Sequence, residues 1–329
     1  MNDNYGIPEH YADFGHRYPM EGIQILKSSA LLCANIPSNF GGGGLGEESG
    51  NAKLLDILKT IGSYDLSLGR IYEGHLNALL LISRHASQRQ KELFFKEAQR
   101  GKLFGIWNSE MPSEPLRYKR AGGKFELTGA KVFCSGATNI DRPIVTADGK
   151  EGTYMTVLEM DKLQLKEDMT YWKPMGMKSS VSCRFDFTGV SVTDDKIVGE
   201  PYAYVGEPDF TAGAARFAAV QLGGAEAAIR TTVCHLQKLD RSAAPEQAHR
   251  LGKLAMLRET GRMWTKNIGK TLDERYNSSS VSLYQVNMYR TIAREICEKV
   301  LSLCEMSVGL QGMMQPHALE RIHRDLTVY

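Results

Sequence analysis

Apolar residues recur at two different periods along this chain, and the changes of period divide it. From Ile23 to Gly101 the spacing is helical. Residues 23–34 (IQILKSSALLCA) predict a helix that Pro37 stops, 47–61 and 64–87 predict two amphipathic helices, and 88–101 a charged one. Residues 1–22 lack a period and are rich in Tyr, His, Gly and Pro, which predicts an irregular lead-in. From 106 to 199 alternation dominates. Three β-prone runs, Leu103–Trp107, Lys124–Thr128 and Lys131–Cys134, are separated by Gly122-Gly123 and Gly129, which supply turn backbone. From 210 onward the helical period returns, through the small-residue run 212–228 and long helices over 251–276 and 284–308. The expectation is an α+β protein of three domains: an N-terminal helical domain over 1–104, a middle β-barrel-like or sandwich domain over 105–205, and a C-terminal four-helix bundle over 206–329.

Bulk composition narrows the function classes. A chain of 329 residues can bury a large core. With 40 basic and 38 acidic residues, nothing calls for nucleic acid or a membrane surface. The six cysteines show no C-x-x-C spacing, and Cys33, Cys134, Cys234, Cys297 and Cys304 sit in apolar runs, which predicts reduced, buried thiols and no metal site. No N-terminal stretch resembles a signal peptide and none reaches a membrane-spanning length, so a cytoplasmic location is expected.

Candidate chemistry gathers at two strand ends. Trp107, Asn108, Ser109 and Glu110 end the first run; Phe133, Cys134 and Ser135 end the third. Hydroxyls and an aromatic at adjacent strand ends suit a flat, polar-edged ring, although Ser109 and Ser135 as turn caps and Phe133 as core explain the same letters. The Gly41–Gly44 run lacks the preceding strand and the following G-K-[S/T] of a phosphate loop and reads as a flexible inter-helix turn. In the helix over 64–87, Glu73 and His75 at i, i+2 face different ways and cannot form a metal pair. They read as a solvated first turn or as satisfied polar groups.

These stretches, in this order, resemble the acyl-CoA dehydrogenase family from residue 23 to residue 329. Ser109-Glu110 stands where that family has Thr-Glu, Gly129-Ala130-Lys131 where it has its "G-x-K" turn, and Phe133-Cys134-Ser135 where it has Trp-x-Thr. The segment Lys173–Ser180 resembles its "k-M-G-x-r-x-S" turn, read as scaffold, and Glu320-Arg321 with Arg324-Asp325 resembles its "e-R-x-x-R-D" helix start. The resemblance implies an FAD-dependent oxidoreductase acting on an acyl-type substrate, CoA- or carrier-bound, with an electron acceptor or oxygen as second partner. It places Trp107, Asn108, Ser109, Phe133 and Ser135 beside the flavin ring. It also implies that Arg241 and the Gly309-Leu310-Gln311-Gly312 loop approach the FAD diphosphate, Arg241 across a subunit interface in a homodimer or homotetramer. Arg216 matches an arginine of the family's first long C-terminal helix and enters as a candidate catalytic residue.

Three departures bear on the reaction. Classical members take the substrate α-proton with a glutamate beyond the "R-D-x-x-x-Y" segment, which here ends at Tyr329, or with one just before the helical arginine, here Ala215. The loop between Glu110 and Phe133 is short and lacks the "G-S-D" of the pantetheine contact, and Thr211–Ala215 lacks the acidic residue of the CoA pocket. Dehydrogenation of a thioester would therefore need a relocated base, for which Glu73 is the candidate, since burial raises a carboxyl towards a useful range. The alternatives are an oxygen-using branch acting on a non-CoA or carrier-bound substrate, which needs no such base, and an inactive flavin-binding subunit.

Overall fold

The computed structural model describes residues 17–47, 49–274 and 283–329. Residues 1–16 of the irregular lead-in expected over 1–22, and the end of the helix expected over 251–276, lie outside them, while the last residues of that lead-in are already helical from Met20.

Helix α1 (Met20–Ser28) stops earlier than the pattern suggested: Ala30 turns left-handed at φ 57°, and Leu31–Cys33 continue as a 3-10 turn. The glycine run is a fixed turn, held by Gly43 N–H to the Cys33 carbonyl at 2.9 Å and Gly44 N–H to the Ile36 carbonyl at 2.8 Å. Then α2 (Asn51–Tyr64) and α3 (Leu66–His85) pack side by side. Asp65 starts α3 by accepting the Leu68 N–H at 2.6 Å. A capping box between Ser87 and Gln90 starts α4 (Gln88–Gln99).

The β region follows the predicted runs with an addition. Strands β1 (Phe104–Trp107), β3 (Lys124–Thr128) and β4 (Ala130–Cys134) lie where expected, and β2 (Arg117–Ala121) appears in the loop between them. Then come β5 (Arg142–Gly149), β6 (Gly152–Val157), β7 (Cys183–Asp186), β8 (Ser191–Thr193) and β9 (Ile197–Val198). A seven-stranded sheet has the order β8-β3-β2-β5-β6-β9, with β1 added in parallel beside β5, while β4 and β7 form a separate antiparallel pair. The β1 and β4 ends thus meet from different sheets. Strand β2 escaped notice because Arg117, Lys119 and Arg120 leave it exposed on one face.

Helices α5 (Asp209–Lys238), α6 (Pro245–Glu274) and α7 (Leu283–Val308) form the bundle, and α8 (Ala318–Val328) closes it. The small residues of α5 permit a close approach to α2: a Cβ on Gly223 would stand 2.1 Å from the Lys59 carbonyl oxygen. The final helix is clamped from inside. Arg321 Nη2 donates to Asp65 Oδ2 at 2.8 Å and Arg321 Nε to Asp325 Oδ2 at 3.3 Å, while Asp325 Oδ1 accepts the Met177 N–H at 2.6 Å. Arg321 is 8% and Asp325 2% exposed, so the charged run Glu320–Asp325 is not a surface ion-pair cluster. Of the five cysteines expected to be buried, Cys134, Cys297 and Cys304 are buried, Cys33 is half-buried and Cys234 is exposed; all six cysteines are free thiols. Among the described residues no helix is long and apolar enough to cross a membrane, and no cluster of His, Cys, Asp and Glu could hold a metal.

His75 is not a solvated residue but a buried clamp between layers. Its Nε2 meets the Leu32 carbonyl at 2.8 Å, so that nitrogen carries the proton, and its Nδ1 accepts the Phe104 N–H at 3.1 Å. Burial pushes its pKa down to about 4, against the pull of the Leu32 carbonyl. Because the unfolded chain takes up that proton more readily, stability is full above the ordinary value of about 6.5 and falls as pH drops towards 4. Urea unfolding is expected to show a loss of about 2 kcal/mol from this group by pH 5. His75→Gln, which does not titrate, should lose less than half as much between pH 7.5 and 5 on the scale of about 1.4 kcal/mol per pH unit.

Candidate functional site

Where the three parts meet, the chain forms a partly open cavity of ≈ 560 Å³. The ends of β1 and β4 and the Met177–Ser182 segment form one wall, and α3 and α5 form the other. Asn287 and Arg290 of α7 and Val328 and Tyr329 at the end of α8 complete it, with the Tyr329 ring 4.4 Å from Phe217.

The β wall presents one aromatic and a line of hydroxyls. The register of β4 against β7 shifts between Lys131 and Cys134, and Phe133 within that bulge adopts φ 54°. Bulges re-aim side chains, and this one leaves Phe133 half exposed into the cavity, its edge against Tyr171 and Trp172, where a core position was the alternative expectation. Beside it Ser182 Oγ donates to Ser135 Oγ at 2.9 Å, Ser180 and Ser182 hydroxyls meet at 2.9 Å, and Ser180 donates to the Met177 carbonyl at 2.9 Å. Met177 at φ 57° and Val181 at φ 42° hold this segment in backbone that such residues resist, a strain that concentrates at functional sites. The neighbouring strand end is tied from behind. Trp107 Nε1 donates to the Ser135 carbonyl at 3.2 Å, Thr146 to Asn108 Oδ1 at 2.7 Å, and Val132 N–H to the Ser109 carbonyl at 2.9 Å. Lys131 Nζ joins the Asn108 carbonyl at 2.9 Å to Glu110 Oε2 at 2.7 Å. Glu110 is therefore a brace.

The helical wall is charged. Glu73, 3% exposed, accepts from Arg70 Nη1 at 2.5 Å on one oxygen and from Asn77 Nδ2 on the other. Asn77 Oδ1 in turn accepts Arg216 Nε. Arg84 pairs with Asp209 beside them. Burial raises Asp209 to about 6, with Arg216 pulling it down. Burial lowers the Arg216 pKa, and Glu73 and Asp209 pull it back up.

Asn108, Ser109, Phe133, Ser135, Glu73 and Arg216 thus converge on one cavity from segments far apart in the chain. Trp107 lines no part of it: the ring is 1% exposed, stacked on Phe185 at 5.1 Å, and supports Ser135 from below. Arg241, Gly309, Gln311 and Gly312 also lie off the cavity. Arg241 sits at the exposed turn after α5, and Gly309 borders a separate depression with Ser302, Glu305 and Met306. The segment 173–182, read as scaffold, contributes Met177, Ser180 and Ser182. Its signal was the hydroxyl cluster Ser179-Ser180-x-Ser182. Arg84, Asn77, Tyr204 and Arg290 had no local signal, since each is an ordinary helix or loop residue until the tertiary fold aims it inward.

A helical layer, a β region and a closing bundle around one cavity define a cofactor-sized site shared by three structural parts. Residues 203–329 match the model of the acyl-CoA dehydrogenase C-terminal domain family. Over that C-terminal part the chain is acyl-CoA dehydrogenase-like, and the likeness of the whole chain is one of fold. It is 29% identical over 191 residues to a dibenzothiophene monooxygenase of Rhodococcus erythropolis, a match covering 55% of this chain and 45% of the relative. The chain spans about half the length of the curated relatives it matches. Butyryl-CoA dehydrogenase of Megasphaera elsdenii shares the fold at a TM-score of 0.83 and 19% identity, over 95% of this chain and 86% of that one. FMN-bound TdsC of a Paenibacillus species does so at 0.81 and 20%, over 94% and 86%.

The Arg70–Glu73–Asn77–Arg216 chain makes Glu73 the carboxylate that holds two arginines in place. Glu73→Gln should therefore lower stability in urea unfolding by about 3 kcal/mol, the scale for breaking a buried charge pair. A loss below about 0.5 kcal/mol, the scale of an inconsequential surface change, would mean that Glu73 holds nothing.

Proposed function

We propose that this chain is a flavin-dependent oxidoreductase of the oxygen-using kind, acting on a small molecule bound between the β wall and α3. The observation that carries this reading is the state of the cavity's carboxylates. Glu73 is engaged on both oxygens by Arg70 and Asn77, and Asp209 by Arg84. A general base must be within reach of the proton it takes and have a lone pair to take it with. Protonating Glu73 would release the chain that orders Asn77 and Arg216, which disfavours Glu73 as that base and supports a reaction that removes no α-proton. The likeness to a dibenzothiophene monooxygenase agrees with it.

The residues present fit a flavin. Phe133 offers an exposed ring, and Ser109, Ser135 and Ser182 offer hydroxyls at the rim of a flat-walled space. When bound, a flavin would supply hydride acceptance or, once reduced, reaction with oxygen. This chain's own part is to orient the ring against Phe133, to hydrogen-bond its edge through the serines and to shield it with α3 and α5. FAD is the flavin we propose, its diphosphate reaching Arg241 and the Gly309–Gly312 loop of a second copy, since both lie off the cavity of their own chain. Acyl dehydrogenation is the second reading, favoured by the family match over 203–329.

Two measurements test these statements. Purified protein should take up flavin, and Arg241→Ala should weaken FAD binding by about 10-fold, the worth of one charge-assisted contact, while leaving FMN binding unchanged. Equal loss for both flavins, or for neither, removes Arg241 from the diphosphate site. In anaerobic titration, acyl-CoA esters should leave the flavin bands unchanged, whereas flavin reduced by an external reductase should be reoxidised by air with turnover of a small substrate. Bleaching by an acyl-CoA establishes the dehydrogenase reading instead. In that event Glu73→Gln should slow it about 100-fold or more if Glu73 is the base.

A further inference from the structure

The helical wall holds one buried cation, Arg216, with no ion pair of its own among the described residues. Arg216 is 5% exposed and lines the cavity. A guanidinium carries five N–H donors in a planar fork. Among the described residues only Nε is engaged, by Asn77, and no carboxylate lies within ion-pair distance of Arg216. Its neighbours are spoken for, Glu73 by Arg70 and Asp209 by Arg84. The terminal nitrogens are not sealed in protein either, because they are absent from the fully buried atoms that lack a partner. They therefore open onto the cavity.

Charge balance points the same way. Arg70, Arg84, Arg216 and Arg290 face the cavity against Glu73 and Asp209, a surplus of two positive charges from four minus two. Arg290 stands exposed at the rim, where it steers anions inward. Between the arginine and the β wall the lining is apolar and aromatic, with Leu80, Ile106, Phe133 and Phe217. A desolvated guanidinium is costly to bury alone, and a planar oxyanion that accepts two parallel N–H bonds repairs the cost.

We propose that Arg216 is the specificity-determining residue of this site and binds the carboxylate, or a similar planar oxyanion, of a small aromatic substrate. Asn77, anchored by Glu73, sets the angle of the fork through its bond to Nε, so Glu73 and Asn77 are positioning residues. The flavin reading enters only in calling the anion a substrate, and the anion site stands on Arg216 alone.

The test uses benzoate, with benzamide as its neutral isostere, titrated calorimetrically into the full chain with and without FMN. Wild-type protein should bind benzoate at least 10-fold more tightly than benzamide, a difference typical of a charge-assisted pair. Arg216→Lys keeps the charge and the fold, checked by circular dichroism, but loses the fork, and should weaken benzoate by about 10- to 100-fold. Asn77→Asp provides a second variant, since its carboxylate fills the fork from within and should weaken benzoate by about 10-fold or more without removing Arg216. FMN and riboflavin affinities should stay within about 2-fold of wild type in both variants, below the effect of one lost hydrogen bond. Equal binding of benzoate and benzamide overturns the proposal, as does unchanged benzoate binding in both variants. Loss of FMN but not riboflavin binding in Arg216→Lys also overturns it, because the fork would then hold the flavin phosphate. Benzoate selectivity in a protein that takes up no flavin would sustain the anion site and sink the flavin reading.

Discussion

The architecture depends on a buried ionic knot. Asp65 caps α3, Arg321 projects from α8 between Asp65 and Asp325, and Asp325 takes the backbone N–H of Met177. One arginine thus joins the first helical layer, the closing helix and the loop that carries Ser180 and Ser182. Two carboxylates share one cation here, and burial pushes Asp65 up to about 7 although Arg321 and the Leu68 N–H pull it down. Such a group adds little over a well-packed apolar replacement, yet losing one partner costs about 3–5 kcal/mol because a charge is left stranded. Its contribution is geometric. With the knot tied, α8 lies so close to the loop that a Cβ on Gly176 would stand 2.0 Å from the Arg324 carbonyl oxygen.

The strained backbone of the β wall is a consequence of that anchoring. Left-handed Phe133, Met177 and Val181 each cost on the order of 1–3 kcal/mol and persist only where the surroundings over-determine them. Met177 is pinned by Asp325, Ser180 and Ser182 by each other, and the Ser135 carbonyl by Trp107. The hydroxyl line and the half-exposed Phe133 ring therefore stand ready before any ligand arrives. Across the cavity α3 is as rigid, with His75 clamping Leu32 and Phe104 on one side and Glu73 ordering Arg70, Asn77 and Arg216 on the other. A neutral, hydroxyl-rich wall thus faces a cationic one, an asymmetry that suits a ligand with one flat polar-edged ring and one anionic end.

Much of this was legible from one dimension. Changes of period placed the helix-to-β and β-to-helix transitions within a few residues, because a segment that must bury one face repeats apolar side chains at its own backbone period. The strand ends carrying Ser109, Phe133 and Ser135 could be singled out because turn glycines and hydroxyls mark where strands stop. Arg216 stood out as a lone charge in a small-residue run, since burying a charge demands a reason, and Glu73 as the carboxylate ahead of an apolar helical run.

Local sequence could not say what those charges meet. Whether Glu73 is a free base or a tethered counter-ion depends on Arg70, Asn77 and Arg216, which α3 and α5 bring together across more than a hundred residues. The Glu320–Asp325 cluster has the same letters on a surface as in a core, and only the docking of α8 on Asp65 and Met177 buries it. Gly309–Gly312 and Arg241 look like parts of the same site in sequence, yet the fold of a single chain holds them away from the cavity. Periodicity and turn chemistry are properties of neighbouring residues and were determined by the sequence itself. Partner choice among buried charges is a property of segments meeting at long range, so the tertiary structure decided which arginine is spent on the fold and which is left for a ligand.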